Sequence, residues 1–533
     1  HLVNTDLYNL AVDCIDKHAE VLQNKHKTAL ICLAENPVTG ELEPPLRLSY
    51  SSLQSLSNAM ANAFAGLNLA PGSRVVLRLP NGVEFPISFL GAIKAGLVPV
   101  PTSPLLTYPE LAFILHDSEA ACLVSDAKLL PQELAEQIPP NLSEILLLAE
   151  KNHFLPPQAR RWQDLLKQGS TQFNTTATSA DAAAFWLYTS GTAGRPKAVI
   201  HAQRSIRAHD ARARHWQDLR AGDVIFNTSS LNWSYALTAG LLDVWRHGLT
   251  SIVYRGSLKP ELLAQILIRY GVTTFMSVPG IYRRLLPFLE KNNEAFRQVR
   301  VCLSAGEKLA ETTREHFREV TDLEIYEGLG MTEHSVYLVQ NFGEAPVPGS
   351  CGKALPGQKI AILHEDLTEC APGEAGILAT HRDCEGLMLG YHRRPEEEAE
   401  EFRGEWFLSG DLASRDAAGN FFFLGRRDEV LTSGGYRISP LEIEAALNRH
   451  PAVEESAAVN VELEAGKTIV QAYVVLQAGY PATQGMAQEI LQSLETSLAA
   501  YKRPRSLVFL KSLPKTSNGK IQRGELKKNA GPL

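Results

Sequence analysis

Apolar and polar residues follow two different patterns between Ser73 and Gly330. Short apolar runs predict strands, whereas apolar residues at helical spacing predict amphipathic helices. The predicted strands are Val75–Leu79, Ala121–Ser125, Ala183–Tyr188, Val224–Asn227, Ser251–Tyr254, Thr273–Ser277 and Val301–Leu303. The predicted helices between them are Pro86–Ala95, Glu110–Asp117, Lys259–Tyr270 and Ile281–Glu290. Strands alternating with helices are typical of βαβ units, so we expect an α/β fold with one or two doubly wound subdomains on parallel sheets.

The pattern changes near Gly349. Residues 349–425 are richer in Gly and Pro, and the short runs Lys359–Leu363 and Asn420–Leu424 predict a small β subdomain. A compact α+β domain is expected beyond Asp428. Its predicted elements are the helix Pro440–Arg449, the strand Ile469–Leu476, the helix Gln484–Tyr501 and the strand Ser506–Leu510.

Composition argues against several classes of protein. The 533 residues carry 52 Lys and Arg against 59 Asp and Glu, a net charge of −7, whereas a nucleic-acid-binding protein shows a basic excess. No run is apolar for long enough to predict a transmembrane helix, and no signal peptide is recognisable. The chain begins with His1 rather than Met, so we expect it to be trimmed there. Seven cysteines without metal-ligand spacing predict buried free thiols in the cytoplasm rather than a disulfide or zinc framework.

The stretch most suggestive of chemistry is Tyr188-Thr-Ser-Gly-Thr-Ala-Gly-Arg-Pro-Lys197, which follows the apolar run Ala182–Leu187. Glycines let backbone N–H groups turn toward a ligand, and hydroxyls and a lysine add donors for phosphate oxygens. It is not a Walker A loop, because no Gly-Lys-Ser/Thr follows four residues after a Gly. The stretch therefore predicts a phosphate-binding loop, with an ordinary polar loop between a strand and a helix as the alternative.

Four further stretches carry polar groups beside glycines, although each alone is typical of ordinary structure. They are Gly328-Leu-Gly-Met-Thr-Glu333 after a predicted strand, Trp406-Phe-Leu-Ser-Gly-Asp411 with an acid after a tight turn, Gly425-Arg-Arg-Asp428, and Leu513-Pro-Lys-Thr-Ser-Asn-Gly-Lys520.

The order and spacing of these stretches resemble the adenylate-forming superfamily, from about Tyr50 to Leu526. Within this superfamily the sequence resembles the benzoate and other aryl-CoA ligases. Three stretches carry this narrower resemblance: Phe185-Trp-Leu-Tyr-Thr-Ser-Gly, Ser304-Ala-Gly-Glu307 and Glu327-Gly-Leu-Gly-Met-Thr-Glu333. Leu329 replaces the aromatic residue that stacks on adenine in much of the superfamily, as it often does in aryl-CoA ligases. Two departures are Ala193 and Ala198, where the family's phosphate loop usually has Thr and Gly.

The resemblance implies a reaction in two halves. A carboxylate attacks the α-phosphate of ATP to give an acyl-adenylate and pyrophosphate, and the thiol of CoA then displaces AMP. Because the attacking carboxylate and ATP are both negatively charged, the site needs cations and hydrogen-bond donors directed at the charge that develops in the transition state. By resemblance, Lys520 and Thr332 act at the α-phosphate, and Glu333 ligates Mg²⁺, a hard cation that prefers such oxygens. The residues implied to hold ATP are Thr189, Ser190, Gly191, Thr192, Gly194 and Lys197 at the phosphates, Ala305, Gly306, Glu307, Leu329 and Gly330 around the adenine, and Asp411 and Arg426 at the ribose.

The same resemblance implies a mobile small domain. We expect a large AMP-binding domain of residues 1–427 and a small domain of residues 428–533, with Asp428 as the hinge. One orientation of the small domain would present Lys520 for adenylation. The other would present a CoA-channel loop, which consists of Ser433, Gly434, Gly435 and Tyr436.

The acyl pocket is expected around Asn232-Trp-Ser-Tyr235, which opens a helical stretch that lines this site in aryl-CoA ligases. Ser234, Tyr235 and His334 are the expected pocket residues, although a Trp–Tyr pair at helical spacing is also typical of core packing. A small aryl acid is the expected substrate. A medium-chain or alicyclic acid, a separate carrier protein as thiol donor, and a nucleotide-binding scaffold without catalysis remain alternatives. A homodimer is compatible with the sequence.

Overall fold

The computed structural model describes residues 6–136, 138–190, 196–427, 431–433, 436–464, 467–498, 502–516 and 521–528. All seven strands predicted between Ser73 and Gly330 are present, each within two residues of its predicted ends. The four helices predicted between them are present as well. The predicted α/β fold class is confirmed.

Nine strands form the largest sheet, and six adjacent strands at its centre run parallel. The carboxyl ends of parallel strands meet at one edge, where ligands of such sheets bind. Ala305 and Met331 end two neighbouring parallel strands at this edge. In spatial order the strands are Lys353–Ala354, Ser335–Val339, Ile325–Met331, Val301–Ala305, Thr274–Ser277, Val224–Asn227, Thr250–Arg255, Thr28–Ala34 and Leu46–Ser49.

A second sheet has five strands, all parallel. Strands buried on both faces are continuously apolar, and Val75, Val76 and Leu77 are accordingly all inaccessible to solvent. In spatial order the strands are Val98–Pro101, Arg74–Arg78, Cys122–Asp126, Glu144–Leu148 and Ala159–Arg161.

Helices begin where the sequence supplies capping groups. The Ser49 hydroxyl accepts the N–H of Ser52 at 3.1 Å at the start of Tyr50–Ala65. The α-helices of the described part are Lys17–Ala19, Tyr50–Ala65, Glu84–Lys94, Tyr108–Asp117, Gln132–Glu136, Trp162–Gln168, Asp210–His215, Asp243–Arg246, Pro260–Arg269, Pro279–Leu289, Glu311–Thr321, Pro395–Glu401, Pro440–Leu447, Gln484–Ser493 and Arg523–Lys528. The π-helices are Val12–Asp16 and Tyr235–Leu242, and the 3₁₀-helices are Ala127–Leu129, Gln203–His209, Asn293–Phe296 and Leu494–Thr496. None of the helices in the described ranges is both long and apolar enough to cross a membrane.

The expected phosphate loop does not connect a strand to a helix. The strand before it, Ala183–Ser190, pairs antiparallel with the strand after it, Pro196–Ala202. Gly390–Tyr391 extends this small sheet along the other edge of Pro196–Ala202. The alternating pattern misassigned Ala183–Tyr188 to a parallel unit because Pro196–Ala202 was not recognised as a strand.

The predicted β subdomain is an antiparallel sheet. Its strands are Ile360–Leu363, Ala375–His381, Trp406–Arg415 and Phe402–Arg403, with Phe421–Arg426 paired to Trp406–Arg415. Asp411 was expected just after a tight turn, but it lies inside Trp406–Arg415, opposite Arg426.

The C-terminal part has its own hydrophobic cluster, which includes Leu431, Ile443, Val470 and Ile490. Its strands are Leu431–Ser433 with Tyr436–Ile438, and Val453–Glu464 with Lys467–Leu476 and Ser506–Phe509. The expected boundary residue Asp428 lies outside the described residues, so the division at this position stays a prediction.

Candidate active site

The hairpin formed by Ala183–Ser190 and Pro196–Ala202 places Thr189 directly opposite Lys197. Only 6% of the Lys197 surface is exposed, so its ammonium group needs partners within the protein. Ser190 ends the first strand. Gly191, Thr192 and Gly194 lie outside the described residues.

Lys197 belongs to a group of four side chains, Lys197, Glu333, Tyr391 and Glu401, which we call the carboxylate–lysine cluster. The ammonium group donates to Glu401 at 2.9 Å and lies 4.1 Å from the centre of the Tyr391 ring. The Tyr391 hydroxyl lies 2.6 Å from a Glu401 oxygen and 2.8 Å from a Glu333 oxygen. The lysine expected at the phosphates and the carboxylate expected at Mg²⁺ are therefore linked through two residues.

The cluster contains two carboxylates but only one lysine to balance their negative charge. A phenol has a single proton to donate, so the two carboxylates compete for it. Burial raises the pKa of the Glu333 carboxyl. Burial also raises the pKa of the Tyr391 hydroxyl, and the negative charges of Glu333 and Glu401 add to this shift. Carboxylate oxygens that converge without enough donors fit a hard divalent cation such as Mg²⁺.

Thr332 and Glu333 lie in the turn between the antiparallel strands Ile325–Met331 and Ser335–Val339. The turn is tight, because a Cβ added at Gly330 would lie 2.3 Å from the Ser335 carbonyl oxygen. Ser335 has a φ of 61°, in the left-handed region that few non-glycine residues adopt. Met388 donates its N–H to the Glu333 carbonyl oxygen at 2.8 Å.

A buried polar network fixes the same turn from the other side. Arg212, with no solvent exposure, donates to Asp243 at 2.6 and 2.9 Å and to the Ser335 hydroxyl at 2.6 Å. His209 also contacts Asp243, at 2.8 Å. Burial alone would raise the pKa of the Asp243 carboxyl, but its contacts with Arg212 and His209 together lower it. Thr238 of the π-helix Tyr235–Leu242 reaches the Ser335 hydroxyl at 2.8 Å.

The residues expected around adenine lie at the carboxyl edge of the large sheet. Ala305 ends its strand, and Gly306 follows with a φ of 94°, which favours glycine. A Cβ on Gly306 would lie 3.9 Å from the Trp233 ring, so this ring faces the loop. Glu307 is half-buried beyond it, and Leu329 is half-buried against the β-subdomain core.

Asp411 and Arg426, the residues expected at the ribose, lie opposite each other on neighbouring strands. The Arg426 guanidinium donates to the Asp411 carboxylate at 3.1 Å. A Cβ at Gly410 would lie 2.4 Å from an Arg426 nitrogen, so the glycine makes room for this arginine.

Tyr235 and His334, expected in the acyl pocket, have different surroundings. Tyr235 packs in a core cluster with Trp216, at 6.1 Å between ring centres, and its hydroxyl donates to the Leu303 carbonyl oxygen at 3.4 Å. His334 stacks on Tyr337 at 4.7 Å with 12° between the ring planes. Burial lowers the pKa of His334 to about 3, so its imidazole is neutral.

Buried polar atoms without a hydrogen-bond partner occur in several places within the described ranges. They include both ring nitrogens of His334 and the side-chain oxygens of Ser234, Tyr337 and Gln358, of which Tyr337 packs in the β-subdomain core. Unsatisfied buried groups in a folded protein call for an explanation, and a ligand is one.

Most residues that were expected to act on the small domain lie outside the described residues. These are Lys520, Asp428, Gly434 and Gly435. Ser433 and Tyr436 face each other across the two-stranded sheet at that point of the chain.

Tyr391, Glu401 and Arg212 were missed from the sequence. Glu401 ends the acidic helix Pro395–Glu401, a composition typical of a solvated surface. Arg212 lies in a basic stretch, Arg212-Ala-Arg-His215, that gives no sign of burial. Tyr391 stands next to Gly390, and that pair alone carried no chemical signal.

Two family models match the chain. The AMP-binding enzyme model matches residues 18–392, and the AMP-binding enzyme C-terminal domain model matches residues 442–520. An uncharacterised acyl–CoA ligase of Bacillus subtilis is 32% identical over 489 residues, covering 91% of each chain. The benzoate–CoA ligase of Thauera aromatica is 34% identical over 468 residues, covering 86% of each chain.

A similar solved structure is the anthranilate CoA ligase AuaEII in complex with anthranoyl-AMP. It has a TM-score of 0.87 and 27% identity, over 98% of this chain and 97% of that one. Together with the matched family models, these relatives show that the chain belongs to the AMP-binding superfamily of adenylate-forming enzymes, as an AMP-forming acyl-CoA ligase.

Proposed function

We propose that this acyl-CoA ligase activates a small aryl acid, such as a benzoate, and transfers it to CoA. One observation carries the proposal: Glu333 and His334 are consecutive, yet their side chains enter opposite environments. The Glu333 carboxylate joins the carboxylate–lysine cluster, whereas the neutral His334 ring stacks on Tyr337. An acid between them would direct its carboxylate to the cations and its flat body to the rings.

Lys197 and Thr189 would hold the β- and γ-phosphates with Ser190, Thr192 and the loop glycines. Mg²⁺ would bind Glu333 and shield the negative charge of the phosphates. Tyr391 and Glu401 would orient Glu333 and Lys197, so that both are in place before ATP arrives. Asp411 and Arg426 would bind the ribose hydroxyls.

Lys520 would complete the adenylation site, with Asp428 as the hinge of the small domain 428–533. After rotation, Ser433, Gly434, Gly435 and Tyr436 would line the path of the CoA thiol. These roles rest on the resemblance of the motifs and of the matched C-terminal domain. The cytoplasmic location and the oligomeric state stay predictions of the sequence.

The aryl substrate is supported by the relatives as well as by the stacked rings. A benzoate–CoA ligase and an anthranilate CoA ligase are among the similar proteins. Tyr235 and Ser234 begin the π-helical turn that would form one wall of the pocket. Trp233, whose ring faces Gly306, would separate this wall from the adenine.

The test is a panel of acids incubated with the protein, ATP, Mg²⁺ and CoA. Benzoate, ortho-substituted benzoates, cyclohexane carboxylate and hexanoate are compared by the amounts of AMP and CoA thioester formed. We expect equal amounts of AMP and thioester, with the greatest rate on an aryl acid. AMP without thioester would favour a carrier-protein thiol, a preference for hexanoate would favour a medium-chain ligase, and no AMP from any acid would contradict catalysis.

A further inference from the structure

The hairpin between strands Ile360–Leu363 and Ala375–His381 brings three different metal-binding side chains together. One donor atom each of His364, Cys370 and Glu374 lies within 4.8 Å of the other two. Over the part of the chain that the structure describes, no other three His, Cys, Asp or Glu side chains converge in this way. The site shares no residue with the candidate active site.

Backbone hydrogen bonds fix the three donors. His364 donates its N–H to Thr368 at 2.9 Å, and Cys370 donates its N–H to Ile362 at 2.9 Å. The Ala371 N–H donates to the Glu374 carboxylate at 3.0 Å, which orients that side chain. The donors are therefore held near one another before any ion arrives.

The distances suit one ion. His364 Nε2 lies 3.5 Å from Glu374 Oε2. Two such ligands, each about 2.1 Å from one tetrahedral Zn²⁺, are about 3.4 Å apart. Cys370 is buried, His364 is half-exposed and Glu374 is exposed, so the fourth position of the ion would be open to water.

The hairpin carries further charged groups. Glu365, Asp366 and Glu369 add three carboxylates, of which Glu365 pairs with Arg427 and Glu369 pairs with Arg415. Asp366 adds a negative charge and accepts hydrogen bonds from Thr368. A bound divalent ion stabilises the thiolate form of Cys370, which is the form of cysteine that ligates metals.

We propose that His364, Cys370 and Glu374 form a binding site for a divalent transition-metal ion of the zinc type, with water as the fourth ligand. Imidazole, thiolate and carboxylate together suit Zn²⁺, whereas Mg²⁺ prefers oxygen ligands alone. Binding joins the two ends of the hairpin and stabilises the folded protein by mass action.

The test uses the full chain, stripped with a chelator and titrated with Co²⁺ or Zn²⁺ in excess Mg²⁺, which occupies carboxylate-only sites. We expect one equivalent of bound metal and, with Co²⁺, a thiolate-to-metal charge-transfer band. Cys370→Ser should abolish the band. His364→Ala, at a half-exposed position that tolerates change, should weaken binding by about 10-fold or more.

Cys384→Ser is the matched control, because Cys384 is a buried free thiol of the same subdomain. The thiolate-to-metal charge-transfer band should remain in Cys384→Ser. The proposal is overturned by the absence of a thiolate band in the unaltered protein, by its persistence in Cys370→Ser, or by unchanged affinity in His364→Ala. Each of these results leaves His364 and Glu374 as an ordinary surface contact without a metal ion.

Discussion

Two groups of polar side chains lie near the Thr332–Glu333 turn, and they differ in how their polar atoms are satisfied. In the carboxylate–lysine cluster, hydrogen bonds of 2.6–2.9 Å join Lys197 to Glu401 and Tyr391 to both carboxylates. The second group comprises His334 and Ser234, expected in the acyl pocket, and Tyr337, which stacks on His334. The described part of the structure offers no hydrogen-bond partner to the His334 nitrogens or to the Ser234 and Tyr337 hydroxyls.

The difference distinguishes the nucleotide side of the adenylation site from its proposed acyl side. Charged groups held by charged partners form a preorganised site that serves every substrate of the family. Buried polar atoms without partners cost stability unless a ligand occupies the space, so they are expected where the variable part of the substrate binds.

The largest expected effect comes from Arg212, which fixes the turn between the two groups. Arg212→Met leaves Asp243 buried without its cation and should lower the free energy of unfolding by about 3–5 kcal/mol. Denaturant unfolding measures this loss. Arg214→Met, on the exposed face of the same helix, is the control and should leave stability nearly unchanged.

Lys520→Ala should slow adenylation by about 10²–10³-fold, because one preorganised charge contact to the transition state is lost. Thioester formation from supplied acyl-adenylate should keep most of its rate, since the proposed rotation of the small domain would remove Lys520 from this step. Pyrophosphate release and thioester formation are measured separately. Equal loss of both half-reactions would remove Lys520 from this role.

Tyr391→Phe removes the hydroxyl that holds Glu333 and Glu401. A hydrogen bond to a charged group contributes about 1.5–3 kcal/mol, so adenylation should slow by about 10–100-fold. The Mg²⁺ concentration needed for half-maximal rate should rise as well, because Glu333 loses its orientation. Glu400→Gln, an exposed change on the helix that carries Glu401, is the control. A wild-type Mg²⁺ dependence in Tyr391→Phe would mean that the cluster does not position Glu333.

Tyr235→Ala enlarges the acyl side. Binding of the native acid should weaken by about 1–3 kcal/mol, and bulkier acids should be accepted. Tyr235→Phe keeps the ring and loses only the hydroxyl contact to Leu303, so it should retain the wild-type order of substrates. Pyrophosphate release over the acid panel checks both variants. An unchanged order in Tyr235→Ala would assign this ring to the core alone.

The smallest effect, when counted per pH unit, concerns His334. Its pKa falls from the usual 6.5 to about 3 in the folded protein. Between these values the unfolded chain binds one more proton, so stability is full above about pH 6.5 and falls by about 1.4 kcal/mol per pH unit below it. His334→Leu should flatten the measured dependence of unfolding free energy on pH by this amount. An equal slope in His334→Leu and in the exposed control His26→Leu would contradict the assignment.

Much of the fold was predictable because local patterns agree with it. Strands such as Val224–Asn227 are apolar apart from one terminal residue and appear at their predicted positions. The strand Pro196–Ala202 was not recognised, so the phosphate stretch was assigned to the wrong kind of turn. Motif residues such as Glu333 and Asp411 could be named because their stretches resemble those of the adenylate-forming superfamily, although each stretch alone is typical of ordinary structure. Tyr391 and Glu401 could not, since residues far apart in sequence meet Lys197 only after the small antiparallel sheet has formed.

The proposed function requires an acyl-binding site that selects the flat, apolar ring of an aryl acid, close to Glu333. The most direct measurement is the ratio of kcat/KM for benzoate to kcat/KM for hexanoate, at saturating ATP, Mg²⁺ and CoA. We expect benzoate to be favoured by about 10-fold or more, the scale on which an apolar pocket distinguishes shapes. A ratio of one or below would contradict the account, because the stacked His334 and Tyr337 would then not select the substrate.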